Sequence, residues 1–163
     1  RMNIENIHQL LGLSNTDAQL ADAIQAHGGS VAALSPKTLS AEGSDFVHLE
    51  AKDVSLTFVP RAAFELKRGE PRGRGPYIFA GAFFCPAGDD HVDGYAGIAP
   101  FGHSAVTTRE SALRVYGEPQ RSMEDEAVFE WDQWTFDGRQ VRTYYRDGAL
   151  VDHISVSVPM MKR

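Results

Sequence analysis

Asp89-Asp90-His91-Val92-Asp93 gathers four side chains of metal-ligand type into five residues. A calcium loop needs a longer oxygen series closed by an acidic residue at fixed spacing, and that series is missing. Zinc needs more His or Cys within reach, so no metal is expected here. Cys85 is the single cysteine, which excludes an internal disulfide. It ends an apolar run without a nucleophile motif and is expected to be a structural thiol. His8, His27, His48, His91, His103 and His153 have no repeated spacing. Gly73 and Gly75 belong to no phosphate-binding glycine pattern after a strand. Lys67–Gly75, rich in Arg and Gly, is interrupted by Glu70 and is expected to be a mobile hairpin tip. No catalytic, cofactor or metal site is expected, and the chain does not read as an enzyme.

Binding chemistry is better represented. Trp131, Trp134, Tyr144 and Tyr145 form an aromatic group in the C-terminal third. Alternation along Val128–Phe136 puts Val128, Glu130, Asp132, Trp134 and Phe136 on one face. Phe129, Trp131, Gln133 and Thr135 take the other. One tryptophan lies on each face, so whichever face meets the helices leaves the other ring for a partner. The formal charge of −6 is localised: Pro86–Glu130 holds nine acidic and three basic residues, and 3 − 9 = −6. Such a surface disfavours nucleic acid and steers a basic protein partner; the simpler reading is a solvated, solubilising face. Partner contacts are expected at Asp89, Asp90, Asp93, Tyr95, Glu124, Asp125, Glu126, Trp131 and Trp134.

The elements that must position these groups are legible in part. The 163 residues suffice for one domain, 1–163, with pseudo-repeat halves of about 1–86 and 87–163. Ile4–Leu11 reads as an amphipathic helix stopped at Gly12. A second helix follows Asn15 or Thr16 and stops at Gly28-Gly29. Ser30–Ser44 reads as a loop, Phe46–Glu50 and Val54–Val59 as strands across a turn, and Ala63–Leu66 as a short strand. Tyr77–Cys85 is almost wholly apolar, as in a central strand or an interface strand. Thr107 or Thr108 caps a helix ending at Tyr116, with Gly117 and Pro119 as its stop. Arg121–Glu126 reads as a charged loop. Val128–Phe136, Val141–Arg146 and Leu150–Val158, joined by Asp137-Gly138 and Asp147-Gly148, form an antiparallel meander. The expected class is α+β, with helices on one face of an antiparallel sheet. No apolar run approaches the ~20 residues of a spanning helix. A cytoplasmic location is expected, or a periplasmic one if a signal was trimmed ahead of Met2.

Tyr95-x-Gly97-x-x-Pro100-x-Gly102, Thr108-Arg-Glu110, Val115-x-Gly117-Glu-Pro119, Trp131-Asp-x-Trp134 and Tyr144-Tyr-x-Asp147-Gly resemble, in that order, a bacterial family of immunity proteins. These are paired with antibacterial toxins, including type VI secretion effectors. The resemblance spans about Tyr95–Val158, and Ala99 and Tyr116 stand where the family pattern has Leu. The helix–Gly–x–Pro–meander unit also resembles repeats of β-lactamase-inhibitor-like proteins and small envelope-assembly lipoproteins. The resemblance implies a non-catalytic module that binds a cognate toxin by occluding its surface. An envelope assembly module and a small hydrolase using His91 or Cys85 are the alternatives, and homodimerisation is left open.

Overall fold

The structure, a computed structural model, describes residues 2–49, 53–88 and 93–162. Seven strands form one antiparallel sheet in the order β1-β2-β3-β7-β6-β5-β4. They are β1 Asp45–Leu49, β2 Val54–Pro60, β3 Tyr77–Phe84, β4 Arg121–Asp125, β5 Val128–Phe136, β6 Arg139–Arg146 and β7 Leu150–Ser157. Each half of the chain lays down its own meander, and the last strand of one pairs with the last strand of the other, β3 with β7. The class is α+β, as expected.

The helices are α1 Ala18–Ala26, α2 Pro36–Glu42, α3 Arg61–Arg68 and α4 Arg109–Tyr116, with 3-10 turns at Ile4–Leu10 and Val31–Ala33. Ile7, Leu10, Leu20, Ile24, Leu39, Ala112 and Tyr116 share one buried cluster with the sheet residues Leu49, Leu56, Phe58, Phe79, Val141 and Val156. Four helical segments therefore cover one face. Helix α3 departs from the expected layout. Phe64 packs with Ile78 and Ala80 in a separate small cluster, and Ile78, alternating with Phe79, faces away from the main core.

Three segments take a different form from their sequence reading. Ser30–Ser44, expected as a loop, contains α2: Ser35 Oγ accepts the Thr38 amide at 3.1 Å, Pro36 opens the helix, and Gly43 closes it at φ 79°. Only Leu39 of α2 is buried, so a hydrophobic period had nothing to register. Ala63–Leu66 is helical because Phe64 anchors a whole turn, with Arg61 and Glu65 paired at 4.0 Å one turn apart. Arg121–Asp125 is an edge strand, exposed at every residue and paired only with β5. It shows no apolar alternation because neither of its faces is buried.

The Arg/Gly loop is a packed strap. Arg72 donates to the carbonyls of Gln9 and Leu11, and Arg61 to those of Gly73 and Gly75. A Cβ at Gly73 would overlap the Ser14 amide and the Asp17 carboxylate, and one at Gly75 the Ser14 and Thr16 hydroxyls. Glycine is needed there for close backbone approach.

Candidate functional site: the uncovered sheet face

Helix α4 positions the second meander. Thr108 caps it, its hydroxyl accepting the Ser111 amide at 3.1 Å while Ser111 Oγ accepts the Thr108 amide at 2.9 Å. At its end Tyr116 donates to the Pro100 carbonyl at 2.6 Å, and the Trp134 indole donates to the Gly117 carbonyl at 3.1 Å. At its start Arg109 reaches Asp132 through Nε at 2.9 Å and Nη2 at 3.3 Å, with its guanidinium over the Phe129 ring. Asp132 is 0% exposed and also accepts from Ser122 and Tyr145 at 2.5 Å each. Burial pushes its carboxyl up, but the bonds from Arg109, Ser122 and Tyr145 and the Arg109 charge outweigh it and leave the group below its ordinary value. The same burial, reinforced by Asp132, raises the Tyr145 phenol.

On the second side of the sheet α3 covers the Ile78–Ala80 end of β3, and past it two cross-strand rows run over the part of this face that no helix covers. The first crosses all seven strands: His48, Ser55, Phe83, Ser155, Arg142, Gln133 and Arg121, each opposite the next. The second, two residues further along, is His153, Tyr144, Trp131 and Met123. Rings and guanidinium groups stack along these rows. Tyr144 lies on His153 at 4.3 Å between centroids, and Phe83 meets His153 edge-on at 5.6 Å. Arg142 sits 3.9 Å above the Trp131 ring and Arg121 5.9 Å from it. Trp131, Tyr144, His153 and Phe83 are half-buried, and Phe46 and His48 are exposed.

At the β1 end, Phe46, His48, Ser55, Phe83, Cys85 and His153 line a hollow of about 280 Å³. His48 Nδ1 contacts Ser55 Oγ at 2.8 Å. His153 Nδ1 contacts Asp152 at 2.7 Å, and Arg146 holds the same carboxylate at 2.5 Å. The bond from His153, backed by Arg146, keeps the Asp152 carboxyl below its usual value. Among the described residues no three His, Cys, Asp or Glu side chains are placed to share a metal ion. No helix among them is long and apolar enough to cross a membrane.

The expected contact residues are dispersed. Asp89 and Asp90, with His91, lie outside the described residues, and Asp93 is exposed. Tyr95, expected as a docking anchor, is a core residue: its ring abuts Phe84 at 5.1 Å and its hydroxyl donates to the Ile98 carbonyl at 2.6 Å. Burial, with the Glu5 carboxylate adding, pushes its phenol up to about 12. Trp134 is likewise buried, at 2% exposure. Trp131 is the tryptophan left at the surface. The aromatic group read from the sequence is split by the sheet, with Trp131 and Tyr144 opposite one another on the open face and Trp134 and Tyr145 packed with the main core. Glu124, Asp125 and Glu126 are exposed at the β4–β5 hairpin tip. Alternation along β5 holds from Trp131 onward. A bulge between Met123 and Glu124 pairs Trp131 with Met123 and Phe129 with Glu124, which brings Phe129 under Arg109.

Phe83, His153, Arg142, His48 and Phe46 escaped the sequence reading as a set. All seven strands contribute to the two rows, and only the cross-strand register brings residues so distant in sequence together. The chain was compared with protein-family models, curated proteins and solved structures, and it matches none of them.

Proposed function

We propose that the protein is a non-catalytic immunity module that neutralises a cognate antibacterial toxin by laying the uncovered sheet face over the toxin's surface. The observation that carries this reading is the pair of cross-strand rows, where Trp131, Tyr144, Phe83 and Arg142 stand half-exposed on a rigid seven-stranded sheet. Large aromatic rings and arginine on a scaffold that needs no ordering are the groups that anchor protein interfaces. Beside them the acidic tip Glu124-Asp125-Glu126 stands in solvent and would steer a basic toxin surface toward the face. The resemblance of Tyr95–Val158 to immunity proteins supports the same reading.

The test is capture with tagged protein from the native organism at low and high salt. One stoichiometric secreted partner, released by Trp131→Ala and bound more slowly by Glu124→Lys/Asp125→Lys, is the expected result. Capture that survives both variants would remove the sheet face and the hairpin from the interface.

A further inference from the structure

Arg142 is held in a way that exceeds what folding asks of a surface arginine. Its guanidinium lies 3.9 Å from the centroid of the Trp131 ring. Nε donates to Gln133 Oε1 at 2.7 Å and Nη1 to the Tyr144 hydroxyl at 3.3 Å. Gln133, only 8% exposed, is a buried buttress whose amide oxygen fixes the plane of the group. Three supports thus orient one planar fork near the middle of the uncovered face. Nη2 and the outer hydrogen of Nη1 have no partner among the described residues. An arginine pre-ordered on an aromatic ring binds a planar anion without the usual loss of side-chain freedom.

The charge pattern around it selects the anion's source. The two cross-strand rows contain Arg121 and Arg142 and the imidazoles of His48 and His153, and no carboxylate. Asp152, the acid beside His153, is already engaged by Arg146 and His153. In a chain of net charge −6 these two rows carry the fixed positive charges of Arg121 and Arg142 with no acid among them, and the acids of Glu124–Glu126 stand at their rim. A second copy stacked face to face would set guanidinium against guanidinium. A nucleic acid would meet the acidic rim and the net negative charge along its backbone.

We infer that the open edge of Arg142 receives a side-chain carboxylate from the docked protein, an Asp or Glu flanked by apolar residues that lie on Tyr144 and Phe83. The inference rests on the docking reading above and specifies the chemistry of its centre. The partner then presents a carboxylate at the middle of its footprint and basic groups toward the β4–β5 tip.

The test uses two tripeptide probes, acetyl-Tyr-Glu-Leu-amide and its isostere acetyl-Tyr-Gln-Leu-amide. They are titrated into the full chain while the Arg142 Nε–H and Trp131 indole N–H resonances are followed. The Glu peptide should shift both signals saturably, and the Gln peptide should bind at least about fivefold more weakly, since only the carboxylate accepts the charged fork twice. Arg142→Gln should erase the difference, and Arg142→Lys should restore only a minor part of it. Emission of the buried Trp134, measured in a Trp131→Phe background, reports that each variant is folded. Equal binding of the two peptides, absence of any saturable shift, or a preference that survives Arg142→Gln would each overturn the inference. Equal saturable binding leaves the face as a docking surface and removes only its carboxylate chemistry. Retained Glu selectivity with failed capture from the native organism removes the toxin reading and keeps the receptor.

Discussion

Two rows on the helix side of the sheet begin alike and end differently. One runs Val47, Leu56, Ala82, Val156, Val141, Trp134 and is apolar at every strand it crosses. The next runs Leu49, Val54 and Phe84 through the first meander, crosses to Ile154, and then runs Thr143, Asp132 and Ser122 through the rest of the second. The first half is thus closed by packing alone. The outer corner of the second half is closed by a buried carboxylate, an arginine from α4 and three hydroxyls. Packing is indifferent to partner charge and pH, whereas a buried ion pair is worth little net and is costly only when broken. The corner beside the proposed docking face is the one whose integrity depends on a specific pairing of α4 with β4, β5 and β6.

Three variants would break or sharpen that contrast. Phe58→Ala empties a fully buried site in the first meander. It should cost about 3–5 kcal/mol, read by denaturant unfolding, and the loss should be nearly the same at pH 5 and pH 8. A strongly pH-dependent loss would mean the two halves do not differ in kind.

Arg109→Ala leaves Asp132 charged and buried and should cost about 3 kcal/mol or slightly more at neutral pH. Because the folded chain holds the Asp132 carboxyl below its ordinary value, the pair's contribution is fully present above the usual carboxylate range. It is lost as pH falls through the lower folded value. The difference between wild type and Arg109→Ala should therefore shrink in acid. The double replacement Arg109→Met/Asp132→Leu should recover most of the loss, and failure to do so would show that the pair stabilises outright.

The smallest effect has the opposite sign. Glu126 and Ala127 join β4 to β5 with φ of 51° and 66°, left-handed values usual for glycine. Ala127→Gly should leave stability unchanged or raise it by up to about 1 kcal/mol. Lower stability together with slower partner association would indicate that the tight acidic tip is kept for docking geometry.

The meander with its two Asp-Gly turns was legible because turn chemistry and strand alternation are local: Asp137 and Asp147 adopt φ of 49° and 52°, left-handed values that tight hairpin connections require, the first across two residues and the second across three. The capped α4 was legible for the same reason. Edge strand β4 and helix α2 were not, since a strand exposed on both faces and a helix with one buried residue leave no hydrophobic period. Nor was the fate of Tyr95, because a tyrosine looks the same in sequence whether it serves as a clasp or as an anchor.

The sequence by itself determined the α+β class, the two Asp-Gly turns, the cap and stop of α4 and the concentration of acid between Pro86 and Glu130. All of these are set by a residue and its near neighbours. Only the tertiary structure decided that Trp131 is outside and Trp134 inside. It also decided that Arg142 lies on Trp131 and that His48, Phe83, His153 and Tyr144 share a face. Those facts depend on register between strands more than seventy residues apart, as in Phe83 opposite Ser155, and a one-residue slip of any strand would send its side chains to the other side of the sheet.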